Sequence, residues 1–297
     1  MSPKNPFSIV VISENEEANI QHCIESCVKH SDDVWLLDSN STDDTVRIAR
    51  DIGANVVIHE FESWGGQRNY ALDSLVFKHN FVLFLDADEA IDDAFASELS
   101  GQIESGNCEA FRVNFNIFFL GKLLKYAHEN PPILRVIKKG SGRWVSEGAR
   151  EYCVVDGNVG KLKSRIHHED RRGIFFWLVK HIRNANREAN VLLGNKEEIR
   201  VCKLSKDRTF ERSKRVLLRR FYNRLPRATR PFLVFVYRYF IRGGFLDGYP
   251  GLMFCLLQGL WYNLIIDARV AEIGLGHSNY LPTYGGEAQK ETEAPAT

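Results

Sequence analysis

The sequence predicts an α/β chain with a doubly wound, mostly parallel sheet and a helical C-terminal region. Three observations carry this. Short, unbroken apolar runs recur through the first third of the chain, the pattern of strands buried on both faces. Helix-period segments separate those runs, as in repeated β–α units. Polar residues collect just past the runs, at 13–17, 38–44 and 86–89, where ligands bind on such sheets.

Taken in order, residues 7–12 read as the first strand. Ser13-Glu14-Asn15-Glu16-Glu17 follows, then a helix carrying Ile20, Cys23, Ile24, Cys27 and Val28 on one face. Val34-Trp35-Leu36-Leu37 is the second strand and ends at Asp38. Residues 39–44 are turn and cap chemistry, short polar side chains that satisfy free amides at a helix start. A helix through Thr45, Ile48, Ala49 and Ile52 stops at Gly53, and residues 56–58 form a third short strand. Gly65-Gly66-Gln67-Arg68-Asn69 opens the next helix. The fourth strand, residues 81–85, runs into Asp86-Ala87-Asp88-Glu89, and a helix spans 92–104. Residues 110–115 and 133–137 alternate and are expected to extend the sheet with antiparallel strands. Between them, Ile117-Phe118-Phe119-Leu120-Gly121 is either core or an exposed flap. Further short strands are expected over 144–156 and 160–166, around a turn at Asp156-Gly157-Asn158. After His167-His168-Glu169-Asp170 the pattern is helical almost to the end.

The 297 residues carry a formal charge of +1, unevenly distributed. Residues 1–110 hold 21 Asp/Glu against 6 Lys/Arg, whereas residues 200–242 hold 14 Lys/Arg against 2 Asp/Glu. An acidic first third and a basic late stretch suggest separate tasks. The six cysteines are scattered without a Cys-x-x-Cys, which fits a reduced cytosolic chain better than a disulfide framework or zinc site. Residues 1–6 are polar and do not read as a signal peptide.

The acidic turn is the first chemical signal. Three carboxylates in four residues at the end of a buried strand repel one another, and a divalent cation would offset that cost. The plain alternative is an acidic cap for the following helix. Asp38 suits hydrogen bonds to a nucleobase or ribose, or else caps a helix. Arg68, near a helix start after two glycines, suits phosphate, or else is a surface arginine. Glu151 could take a proton from a hydroxyl, or be an ordinary cross-strand acid. His167 could join Asp88 on a cation, or be structural.

Four segments occur together in order: residues 8–20 (SIVVISENEEANI), 37–45 (LDSNSTDDT), 64–72 (WGGQRNYAL) and 83–89 (LFLDADE). This series resembles the family 2 inverting glycosyltransferases of GT-A fold, in particular the bacterial branch that includes lipopolysaccharide core β-1,4-glucosyltransferases. The resemblance covers about residues 7–170 and continues loosely to residues 240–248. It implies that Asp38, Arg68 and Asp86 bind a UDP-type nucleotide-sugar donor. Asp88 and His167 would hold Mg²⁺ or Mn²⁺, and Glu151 would be the general base. Two departures stand out: Arg150 where that branch has His, and Asn40 and Asp44 where glycine is frequent. The acceptor implied is a glycolipid or lipid-linked glycan. Alternatives are transfer to polyprenyl phosphate and a catalytically silent nucleotide-sugar-binding protein.

The late basic stretch interleaves Val216, Leu217, Leu218, Phe221, Tyr222 and Leu225, and residues 252–266 are apolar. Fifteen residues reach only about 22 Å as a helix, short of a hydrocarbon core of about 30 Å. A helix lying in an anionic membrane surface is therefore expected, with a buried bundle or a dimer interface as the alternative. No nucleic-acid-binding module accompanies the basic run, so nucleic acid is not expected as a partner. The expected organisation is a donor domain over 1–170, a helical membrane-associating or acceptor region over 171–276 and a disordered tail over 277–297. The expected location is the cytoplasm, peripheral on the inner face of the cytoplasmic membrane.

Overall fold

The computed structural model describes residues 5–128, 131–147, 150–194, 229–275, 280–281 and 289–290. The chain divides into two compact units, Met1–Gly173 and Ile174–Thr297.

The first unit is a mixed sheet with helices on both faces. Its strands are β1 (Phe7–Ser13), β2 (Val34–Asp38), β3 (Asn55–Ile58), β4 (Phe81–Asp86), β5 (Glu89–Ala90), β6 (Ala110–Phe119), β7 (Lys122–Leu124), β8 (Ile133–Lys138) and β11 (Val159–His168). They lie in the order β3-β2-β1-β4-β8-β6-β11-β5, with β7 paired to β6. β1, β2, β3 and β4 are parallel, and β8 enters antiparallel between β4 and β6. β11 runs parallel to β6, so the expected doubly wound α/β sheet is present, with parallel strands β1 to β4 and antiparallel extensions beyond them. β9 (Gly142–Glu147) and β10 (Arg150–Val155) form a separate antiparallel hairpin.

The unbroken apolar runs are explained by two cores, one on each face. Ile9 and Val11 of β1, with Leu83 and Leu85 of β4, face one core. Helices α1 (Glu17–His30), α2 (Thr45–Ile52) and α4 (Asp93–Glu104) complete it through Ile20, Ala49 and Phe95. Val10, Ile12, Val82 and Phe84 face the other, against Ala71 and Leu75 at helix α3 (Trp64–Ser74) and Trp144 of β9. Each fully buried Leu, Ile or Phe contributes about 1.5–3 kcal/mol, so neither face tolerates a polar substitution. The 117–121 segment resolves as the end of β6 turning into β7, with Phe119 buried and the turn made at Leu120 and Gly121, both at positive φ.

In the second unit, α5 (Gly173–Gly194) precedes α6 (Arg230–Val236). α6 continues as a π-type turn over Tyr237–Ile241. A 3-10 turn (Gly244–Asp247) leads into α7 (Gly248–Phe254), a π-type stretch (Cys255–Trp261) and α8 (Tyr262–Gly274). The run Gly244–Gly274 is 31 residues, long and apolar enough to cross a membrane by length and composition. The fifteen-residue apolar stretch read from sequence, residues 252–266, lies inside this longer helical run. Pro250 sits in the first turn of α7, where the missing N–H costs nothing. Within the tail, the described residues are two short antiparallel strands, Tyr280–Leu281 and Gln289–Lys290. The strongly basic residues 203–228 lie outside the described residues.

Candidate active site

The register of the parallel strands gathers the polar residues on one edge. Ser13 stands opposite Asp38 across β1 and β2, and Ile12 opposite Asp86 across β1 and β4. Asp38 is buried. Its Oδ1 accepts from Ser13 Oγ at 2.7 Å and Ser41 Oγ at 2.5 Å, and its Oδ2 from the Ser41 amide at 2.8 Å. It therefore holds its own loop in place. That loop is tied to the one after β1: Asn15 N–H donates to Ser41 Oγ at 2.8 Å, and Asn15 Oδ1 accepts from the Thr42 amide at 2.9 Å. Asn15 and Asn40 have φ of 53° and 59°. Asparagine tolerates this left-handed conformation better than most residues, which explains Asn40 at a position where glycine is frequent.

The Gln67-Arg68-Asn69 segment opens α3 behind a Ser63 cap, whose Oγ accepts from the Gly66 amide at 2.9 Å. Its three side chains go separate ways. Gln67 is fully buried and donates to Ser39 Oγ and to the carbonyls of His59 and Glu60. Asn69 pairs twice with the Trp144 backbone, fixing β9 against α3. Arg68 points to the acidic turn, 3.5 Å from Asp86, with its guanidinium over the Trp144 ring.

The acidic turn is neutralised from within the chain. Arg135, buried on β8, donates from Nη1 and Nη2 to both oxygens of Asp86, at 3.0 and 2.7 Å. Its Nη2 also reaches Glu89 Oε1 at 2.6 Å. Glu89 Oε2 accepts from the Asp86 amide at 2.9 Å, which closes the turn. Burial would raise the Asp86 carboxyl, but the Arg135 guanidinium overrides it and holds the pKa well below the usual range. Glu89 is shifted the other way, because its burial outweighs the same guanidinium. Sequence reasoning missed Arg135. The signal was present: it interrupts the apolar run of residues 133–137, an unusual place for a solvated arginine.

Asp88 is buried at the end of the turn, and its carbonyl accepts from the Glu169 amide at 2.9 Å. β5 pairs with the end of β11, placing His168 opposite Glu89 and His167 opposite Ala90. His168 Nδ1 lies 3.6 Å from Asp88 Oδ1 and 3.8 Å from Glu89 Oε1. Burial alone would lower the His168 pKa, but Asp88 and Glu89 push it up to about 9. His167 instead bonds Asp92 Oδ2 at 3.2 Å, and with His22, Asp88 and Glu169 it borders a small cavity. The imidazole beside Asp88 is thus His168, because one residue along a strand turns the side chain to the other face.

Glu151 lies in β10 opposite Ser146; its side chain, like that of Arg150, lies outside the described residues. A further cluster absent from the sequence expectations joins the loop after β1 to the end of β11. Arg172 donates to Glu16 Oε1 at 2.7 Å and twice to Asp170. Burial pushes the Glu16 carboxyl up to about 7, against the pull of Arg172.

Among the described residues, no three His, Cys, Asp or Glu side chains form a ready-made metal cage. Asp88 lies between two imidazoles, His167 across the small cavity and His168 beside its carboxylate; a carboxylate with one imidazole suits Mn²⁺ or Mg²⁺ with phosphate completing the set, and His168 could serve only by giving up its proton to the cation.

Residues 8–159 match the family model for glycosyl transferase family 2, and the chain belongs to that family. It is 33% identical over 118 residues to an uncharacterized glycosyltransferase of Rickettsia typhi, covering 39% of this chain and 40% of that one. It is 33% identical over 175 residues to the lipopolysaccharide core biosynthesis glycosyltransferase LpsC of Rhizobium meliloti, covering 55% of this chain and 63% of that one. The match thus spans less than two thirds of either relative. Among solved structures, S. aureus TarS 1-349 with UDP-GlcNAc aligns over 97% of this chain and 98% of that one, at 14% identity and a TM-score of 0.45. Glucosyl-3-phosphoglycerate synthase of Mycobacterium tuberculosis, in complex with Mn²⁺, UDP and glucosyl-3-phosphoglycerate, aligns over 39% of this chain and 45% of that one, at 26% identity and a TM-score of 0.32.

Proposed function

We propose that the chain is a metal-dependent inverting glycosyltransferase. It moves a sugar from a UDP-type nucleotide-sugar donor to a lipid-linked or lipopolysaccharide-core glycan at the inner face of the cytoplasmic membrane. The observation that carries this reading is the buried Asp88, with the half-buried His168 and Arg68 nearby, at the carboxyl edge of the parallel strands in a family 2 chain. The likeness to LpsC supports the acceptor class.

Asp88, with His167 across the cavity or His168 beside it, would hold the divalent cation, which when bound would supply Lewis-acid neutralisation of the leaving diphosphate. Asp86, already paired with Arg135, orients the turn, and Arg68 adds a fixed positive charge for phosphate. Asp38 serves the nucleotide through the loop it holds; direct contact with base or ribose requires Ser41 to turn away. Glu151 takes the proton of an acceptor hydroxyl as its oxygen bonds to the anomeric carbon. The nucleoside diphosphate leaves from the opposite face, so the single displacement inverts the configuration.

A panel of nucleotide sugars with Mg²⁺ or Mn²⁺, read by thermal shift, identifies the donor. With that donor, Glu151→Gln is expected to lower turnover by ~10²–10⁴-fold while leaving the donor-induced shift unchanged. Wild-type turnover in Glu151→Gln would remove Glu151 as the base.

A further inference from the structure

The second unit carries a feature that sugar transfer does not use. α6 with its π-type extension and the run Gly244–Gly274 form a helical hairpin, with its corner at residues 242–249. The corner is built for close approach. Gly243 and Gly248 have φ of 79° and 69°, conformations that side chains resist. A Cβ on Gly251 would lie 2.3 Å from the Gly244 carbonyl oxygen, so the corner closes only with glycine there. Rings brace it: Tyr239 packs on Phe235, Phe240 and Phe245, with centroids 5.5, 5.0 and 6.2 Å away.

This braced corner turns its apolar side chains outward. Ile241 is 72% exposed and Tyr249 67%, with Phe240, Phe245 and Leu246 close behind. The exposure continues along α6 through Phe232 and Val236. Scattered exposed apolar residues are ordinary, but a contiguous group on a rigid corner marks an interaction surface. Charge indicates the partner. Residues 230–246 contain no acidic residue and Asp247 is buried; Arg230 and Arg242 are partly exposed, whereas Arg238 packs inward against Gly259 with its Nη1 buried. The preceding chain is basic as well. Aromatic and aliphatic side chains beside arginines, with no exposed carboxylate, match an anionic lipid surface, where the apolar tip enters the acyl boundary and the guanidiniums meet headgroups. At the other end of the hairpin, Arg269 bonds Asn186 of α5 at 2.7 Å and Glu272 at 2.6 Å, a polar network that belongs in water.

We propose that the hairpin corner at residues 240–249 is a wedge that inserts into one leaflet of an anionic membrane, with α6 lying along the surface. This deepens the membrane-face reading above by naming the contacting element, the corner and not the 252–266 helix that the sequence favoured. It does not depend on the donor chemistry.

The test is flotation of the full chain with phosphatidylethanolamine–phosphatidylglycerol vesicles, against phosphatidylcholine vesicles. The wild-type chain is expected to float with the anionic vesicles and be released by an alkaline carbonate wash. An Ile241→Glu/Leu246→Glu double variant should lose at least about tenfold in bound fraction, since charge is costly below the headgroups. Val76→Glu, at an exposed apolar site of the first unit, should float like wild type. Circular dichroism and nucleotide-sugar thermal shift on the same samples verify folding and keep the donor reading separate. Undiminished flotation of the folded double variant overturns the proposal. So does retention through the carbonate wash, which indicates a span, or a wild-type dimer that fails to float and that the same substitutions split, which indicates a second copy on this face.

Discussion

At the carboxyl edge of the sheet, charged groups lie buried; at the hairpin corner of the second unit, apolar groups lie exposed. Arg135, Asp88 and Glu89 are withdrawn from water, and the guanidinium is spread over two carboxylates. Ile241 and Tyr249 stand in solvent on a backbone braced by aromatic rings and glycine contacts. The first arrangement is internally compensated, so its cost is met within the fold and it is rigid before any ligand arrives. The second is not compensated within the described chain, and its unmet preference points outward. A buried charge is thus evidence about the chain's own architecture, and an exposed apolar corner is evidence about its surroundings.

Substitutions can break or sharpen this contrast. Arg135→Met strands Asp86 and Glu89 without their shared cation and is expected to cost about 3–5 kcal/mol in urea unfolding. A cost under about 1 kcal/mol would mean that the turn does not depend on Arg135. Asn40→Ala forces a β-carbon-bearing residue without a polar side chain into φ of 59°, with an expected loss of about 1–2 kcal/mol. Asn40→Gly should come within a few tenths of wild type, and equal losses for both would show that the side chain matters and the backbone angle does not. At the corner, Ile241→Glu/Leu246→Glu should change urea stability in water by no more than about 0.5 kcal/mol per site, because solvent-facing side chains contribute little. A loss as large as that of Arg135→Met would mean that the corner is core and not surface.

The parts legible in sequence are those whose signal is local. β1, β2 and β4 were readable because both faces are buried, so no alternation interrupts the apolar run. Asp38, Arg68, Asp86 and Asp88 could be singled out as candidates because strand ends and glycine-marked helix starts announce themselves within a few residues. Arg135 was not found, because its partners are 46 and 49 positions away and only the antiparallel insertion of β8 beside β4 brings them together. Sequence singles out His167, which lines a cavity with Asp88, but motif counting carries no information about strand face and so says nothing of His168, whose ring lies against the Asp88 carboxylate. That placement depends on how β5 pairs with β11, and β5 is only two residues long. The 31-residue helical run was read as fifteen residues because apolar composition marks only 252–266, and helix length beyond it depends on where the helix begins and ends.

The central claim is that the buried turn anchors a nucleotide sugar through Asp88. Thermal unfolding of wild type and Asp88→Asn, each with EDTA, with Mn²⁺, and with Mn²⁺ plus a UDP-sugar, tests it most directly. Both chains should melt alike in EDTA, because Arg135 and not a metal holds the turn. Only wild type should then gain stability from the donor with Mn²⁺, with saturating donor at ~100 Kd adding about 2.7 kcal/mol. An equal gain in Asp88→Asn would contradict the assignment.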